Sequence, residues 1–218
     1  MSEPMLKCLP FAILFLSLFL MSCTTDADEE WDAARVCPED KRGVFTDSRD
    51  GREYKYTTIG NQVWMAENLN FLSKSSECFD KESLCENFGR LYEVDSVECP
   101  IGWHLPSREE WVTLANNMGG IEVAGLRLKN DTEWKPLNPG DNGNGLNECG
   151  FNLIPTYELG EEYGYMAVFL TASMDSAAWT GGGLPAYVVL AQALSYVDSI
   201  VFGSVLRSTY RNVRCVKD

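Results

Sequence analysis

The side chains best suited to chemistry crowd into one stretch, Cys99 to Trp111, read CPIGWHLPSREEW. It holds the only histidine, His104, the adjacent carboxylates Glu109 and Glu110, and a cysteine. A histidine beside a carboxylate can move protons, and a thiolate can attack carbon. Position and count argue for quieter roles. A single histidine excludes a multi-histidine metal site. Set between Trp103 and Leu105, its ring reads as a packed, hydrogen-bonded side chain. Glu109 and Glu110 fall in the first turn of a helix, where the dipole favours negative charge. No catalytic residue is assigned, and the chain is expected not to be an enzyme.

A second set of donors is Asp141, Asn142, Asn144, Asn147 and Glu148, hard oxygens interleaved with glycines of the kind calcium takes. The spacing departs from an EF-hand, because Gly143 stands at the third loop position counted from Asp141. A turn-rich loop is therefore expected and no metal is assigned, calcium being the one cofactor these residues would admit. Trp134 and Tyr157, near this loop, would stack on sugar rings if exposed. Trp134, Asp141, Asn144 and Tyr157 are thus the candidate ligand-binding residues.

The elements that must hold these groups are partly written in the pattern. Ser107 can cap a helix, Glu110 can reach back to the cap's N–H, and Leu105-Pro106 lead in. Trp111, Leu114, Ala115 and Met118 recur at the spacing of one apolar face, and Gly119-Gly120 ends the run. The expectation is an amphipathic helix over 107–118, and a weaker helical turn over 123–129. Alternation through Tyr54, Tyr56 and Thr58, then Gly60-Asn61, then Gln62 to Met65, predicts a hairpin. Short strands are expected at 89–92, 151–155, 163–171, 186–193, 195–202 and 211–217, with a turn at Gly181-Gly182-Gly183 and a long loop over 134–150. The sum is an α+β domain of short antiparallel strands, a central helix and long loops.

With 218 residues, 45% of them hydrophobic, the chain can bury one good core. A formal charge of −14 repels phosphates, which argues against nucleic acid and against an electrostatic grip on anionic lipid. Eight cysteines without a CxxC pair point to disulfides in an oxidising compartment rather than to zinc. The closest spacing, Cys78 to Cys85, suits a disulfide loop.

The first residues carry an address. Lys7 is followed by an almost wholly apolar run from Leu9 to Met21, too short to span a bilayer comfortably and placed like a secretory h-region. Leu20-Met21-Ser22-Cys23 resembles a bacterial lipoprotein signal, which implies cleavage before Cys23 and acylation there. Acyl chains contribute about 0.8 kcal/mol per buried methylene, enough in combination to hold the protein to a membrane. The expected organisation is a signal peptide over 1–22, an acidic tether over 23–43 and a domain over 44–218.

Five blocks in order, DSRDGREYKYTTIGNQVWMAENLN, GRLYEV, CPIGWHLPSREEW, GFNLIPT and NVRCVKD, resemble the Fibrobacter succinogenes major paralogous domain. The resemblance covers almost all of 47–218. It implies a disulfide-stapled fold like the C-type lectin domain, in the branch that also holds the formylglycine-generating enzymes, whose LPTEAEW block the LPSREEW block resembles. It also implies the sulfur pairing: Cys99 with Cys215 first, Cys78 with Cys85 second, and Cys37 with Cys149 as the third pair. The Glu-Pro-Asn and Gln-Pro-Asp triplets that sugar-binding lectins use with calcium are missing. So is the pair of close late cysteines that an oxidase of the formylglycine-generating kind needs, since only Cys215 lies there. The resulting expectation is a surface-displayed lipoprotein at an outer membrane or cell surface, acting without catalysis as a recognition or adhesion module for polysaccharide or another surface protein. The alternatives are a relative of the formylglycine-generating oxidoreductases and a structural envelope protein without a soluble ligand.

Overall fold

The computed structural model describes residues 30–79, 81–159, 162–176 and 187–218. The leader, Cys23, most of the acidic run and the Gly181-Gly182-Gly183 turn lie outside the described residues. The compact unit runs from Ala33 to Asp218. Among the described residues no helix is long and apolar enough to cross a membrane.

Two antiparallel sheets frame the domain. The first opens with α1 (Ala33–Val36), β1 (Arg42–Thr46), β2 (Glu53–Ile59) and β3 (Gln62–Met65). β2 and β3 form the hairpin that Gly60-Asn61 announces, with Ile59 opposite Gln62. Gly60 takes a left-handed φ of 59° at the first turn position, where a side chain would also press into Asn117. A small pair, β4 (Ser76–Glu77) and β5 (Leu91–Tyr92), follows, separated by α2 (Cys85–Phe88). β6 (Trp103–His104) then lies at one edge of the first sheet.

Helix α3 (Arg108–Asn117) begins on the predicted capping box: the Glu110 N–H donates to Ser107 Oγ at 3.1 Å and the Ser107 N–H donates to Glu110 Oε2 at 2.7 Å. Its Trp111, Leu114 and Ala115 are buried. Helix α4 (Ile121–Leu128) is two turns long, fuller than the pattern suggested. Gly125 in its middle lets the backbone approach 198–199, where an added Cβ would stand 2.7 Å from Asp198 O, while the Leu126 N–H donates to that oxygen at 2.8 Å.

The second sheet is built from β7 (Tyr157–Leu159), β8 (Glu162–Met174), β9 (Tyr187–Leu194) and β10 (Ile200–Leu206), in the order β10-β9-β8-β7. The last element, β11 (Val216–Lys217), inserts between β3 and β6, so the first sheet reads β1-β2-β3-β11-β6. Trp111 joins the layers: its ring centroid lies 5.0 Å from that of Trp64 on β3 and 5.5 Å from that of Phe169 on β8. Such aromatic pairs add roughly 0.5 to 1.5 kcal/mol beyond their buried area.

Four expectations are corrected. Residues 151–155 form no strand; Phe151 and Leu153 are buried, and Leu153 makes one parallel bridge with Lys129. Residues 195–202 do not begin a strand at Ser195, because 195–199 turn the chain and β10 starts at Ile200. The final strand is two residues long, since Arg211 and Asn212 bridge elsewhere, to Tyr92 and Phe169. The tether does not extend to residue 43: α1 is folded, the Gly60 N–H donates to Val36 O, and Cys37 is bonded to Cys149. The bridges are Cys37–Cys149, Cys78–Cys85 and Cys99–Cys215, the pairs the resemblance implies.

Candidate functional site

Of the residues singled out around 134–148, Asp141 and Asn142 share a hollow of about 330 Å³, and the others do not join them. Trp134 is only 3% exposed; its indole N–H donates to Leu153 O at 3.0 Å and the Lys129 ammonium lies 5.3 Å from its ring centroid. It is a core residue and cannot be the expected sugar platform. Tyr157 opens β7 in register with Met166, and its side chain lies outside the described part. Asn144 Oδ1 accepts from the Trp134 N–H, Asn142 Oδ1 from the Asn144 N–H, and Asn147 Oδ1 from the Asn152 N–H. Glu148 pairs with Arg127 at 3.2 Å and Asp141 accepts from Asn138 Nδ2. These oxygens fold their own loop, as composition allowed. Among the described residues the sole cluster of metal-capable side chains is Cys78, Glu82 and Cys85, and two of its three donors are spent on a disulfide.

His104 is held tightly. Its Nδ1 lies 2.7 Å from Asp218 Oδ1 and its Nε2 lies 2.8 Å from Glu110 Oε1. Burial works against the charged ring, but the two carboxylates outweigh it and raise its pKa. Burial likewise works to raise the Glu110 carboxyl, and the Ser107 N–H, the ring and the Ser107 hydroxyl more than reverse that, so it is lowered. The histidine therefore contributes stability that is complete below its ordinary value of 6.5 and is lost as pH rises through the raised value. The glutamate contributes stability present above its ordinary 4.5 and lost as pH falls through its lowered value. With the ring 41% exposed, solvent screening limits the effect to less than about 1 kcal/mol. The urea midpoint should fall modestly between pH 6 and pH 8, and His104→Gln should flatten that slope; an equal slope in the variant would show that the clamp carries no charge.

The site the structure does assemble is an open cleft of about 600 Å³ on another face, within the size range of small-ligand sites. Five separated segments meet there. The start of β2 gives Arg52, Glu53 and Tyr54; the chain after β3 gives Glu67, Asn68 and Asn70; α2 gives Glu86, Asn87 and Phe88. Residues 130–133 and 152–154 close the opposite side, and Arg214 lies beneath. The Cys78–Cys85 bridge and an Arg52–Glu86 ion pair of 3.0 Å hold α2 in place. Gly89 ends α2 with φ 71°, and a Cβ there would stand 2.6 Å from the Asn68 side chain. That close approach lets Asn68 Nδ2 donate to Phe88 O at 2.9 Å.

Arg214 is completely buried and organises the cleft floor. Its Nε donates to Asn68 Oδ1 at 2.7 Å, its Nη2 to Asn152 O at 2.8 Å, and its Nη1 to Phe151 O and Met65 O. Burial pushes the guanidinium down to about 9, with Glu67 opposing, so it stays protonated at neutral pH. Above it, hydrogen-bonding capacity is left over. Asn70 is 7% exposed and its side-chain amide has no partner among the described residues; Asn130 is 5% exposed and its Oδ1 is likewise unpaired. Buried amides of this kind normally find partners. Sequence reasoning missed this site, and the one local signal was Asn68-Leu69-Asn70, two amides flanking a residue that is fully buried.

Fold and cleft together define an α+β, disulfide-bonded domain with a polar, ligand-sized hollow. The family follows from comparison: the family model for the Fibrobacter succinogenes major domain matches residues 57–217, and the chain belongs to that family. No curated protein and no solved structure matches the chain.

Proposed function

We propose that this chain is a lipid-anchored recognition module that binds polysaccharide or another surface protein through the amide-lined cleft, without catalysing a reaction. The observation that carries the reading is the cleft: the buried Oδ1 of Asn130 and the Asn70 amide, neither with a hydrogen-bond partner among the described residues, line a ligand-sized hollow. Among the described residues the cysteines and the histidine are engaged elsewhere, with Cys37, Cys78, Cys85, Cys99, Cys149 and Cys215 all in disulfides and His104 clamped by two carboxylates. A C-type-lectin-like identity for the domain is supported by the Cys99–Cys215 bridge between the segment entering α3 and the last strand, and by the LPSREEW block. The anchor at Cys23, and hence display at an outer membrane or cell surface, rests on the apolar leader and the residues before that cysteine.

The test is retention of the mature protein on a panel of immobilised polysaccharides and purified surface proteins. Retention is expected to be reversible, to leave the ligand's mass unchanged and to be lost in Asn70→Leu. A chemically altered ligand, or equal retention by the variant, overturns the reading. Independently, Cys23→Ala is expected to move the protein from the membrane fraction to the soluble one.

A further inference from the structure

We infer that the cleft takes a neutral, hydroxyl-rich saccharide and rejects acidic polysaccharides. This rests on the reading that the chain acts by binding, and it names the ligand class for that cleft. Charge does the selecting. At the rim, the exposed carboxylates of Glu53, Asp131 and Glu133 have no ion-pair partner among the described residues, and they repel an anionic chain. Deeper in, Glu67 offsets Arg214 and Arg52 is paired with Glu86, so the lining as a whole stays acidic. A neutral ligand escapes the penalty that an anionic one meets.

The floor then supplies what hydroxyls need. A primary amide offers an acceptor and two donors in one plane, and a sugar hydroxyl both donates and accepts, so neighbouring hydroxyls can satisfy an amide on both sides. Asn70 has an entire side-chain amide to spend, and Asn130 an acceptor. Phe88, half-buried on the wall, adds an apolar surface of the kind the axial C–H face of a pyranose covers.

Calorimetric titration with a set of neutral oligosaccharides (cellohexaose, xylohexaose, mannohexaose, laminarihexaose) and with trigalacturonate tests this. At least one neutral sugar should bind, trigalacturonate should not, and Asn70→Leu should weaken the sugar at least tenfold with its unfolding midpoint within a few degrees of the parent. If Asn70→Leu fails to fold, the solvent-exposed Asn87→Ala should still weaken the sugar at least threefold. Glu53→Gln with Glu133→Gln should let trigalacturonate compete. Binding of trigalacturonate to the parent, sensitive to the same variants, would overturn the ligand class and leave the binding reading standing. Failure of all the neutral sugars would overturn the ligand class too; only failure of the surface proteins as well would take the binding reading with it.

Discussion

Arg214→Met should lower the stability of the domain by about 3 to 5 kcal/mol, the range for removing one partner from a buried charged network. Replacing a buried ion by a hydrophobe is sometimes harmless, because both partners can leave together. That escape is closed here. Three of the four acceptors, Met65 O, Phe151 O and Asn152 O, belong to the backbone and stay whatever side chain replaces the arginine. An orphaned buried acceptor costs about 1 to 3 kcal/mol, and relief of the guanidinium's own desolvation returns part of the sum. The thermal midpoint should therefore fall by roughly 6 to 20 °C at the 2 to 4 °C per kcal/mol usual for domains of this size. Arg214→Lys should recover little, because one ammonium cannot span acceptors that a planar fork reaches together. A Met variant within about 1 kcal/mol of the parent would mean that water replaces the guanidinium and that the cleft floor is wetter than the packing around Phe151 allows.

Much of the scaffold was legible because it is specified locally. The Ser107–Glu110 box and the four-residue apolar spacing fixed α3, and a glycine at the first turn position fixed the hairpin, since both depend on residues within a few positions of each other. The failures came where distant partners decide. Phe151 and Leu153 have strand composition, yet the Leu153 backbone makes only a single bridge with Lys129 and gives its N–H to Leu128 O, while the Phe151 ring packs against Trp64 and Trp111. Trp134 looked like a surface aromatic because asparagines and glycines surround it in sequence; in space its N–H finds Leu153 O and its ring is covered. The cleft was hidden for the same reason. Its asparagines arrive from separate loops, where an asparagine is ordinary turn chemistry, and only burial without a partner distinguishes Asn70 and Asn130 from the loop-folding Asn142 and Asn147. The sulfur pairing was reached through family resemblance, because six cysteines permit fifteen connectivities and spacing alone favours only the short loop.

Removing the Cys99–Cys215 bridge by the double serine variant should cost about 5 kcal/mol in the chain-entropy account, against roughly 2 to 3 for Cys78–Cys85. Loop size sets the difference, with sequence separations of 116 and 7. The Cys37–Cys149 bridge does not soften the loss, because the route through it is no shorter than the chain from Cys99 to Cys215. Position adds to the effect. Val216 pairs with Trp64 on one side and His104 on the other, so the two-residue β11 is what joins β6 to the rest of the first sheet. A strand that short holds its register poorly without a covalent anchor beside it, and Cys215, completely buried, is that anchor. Its loss should free β6 with His104, loosen the Asp218 contact and weaken the pH response described for the clamp. Calorimetry on the two double variants should show a midpoint drop of roughly 10 to 20 °C for Cys99/Cys215 and about half that for Cys78/Cys85. The smaller-loop variant should instead show its main defect in ligand binding, because its bridge fixes α2, which forms one wall of the cleft. Equal drops, or the reverse order, would mean that native-state contacts around the sulfurs outweigh the entropy of the unfolded chain.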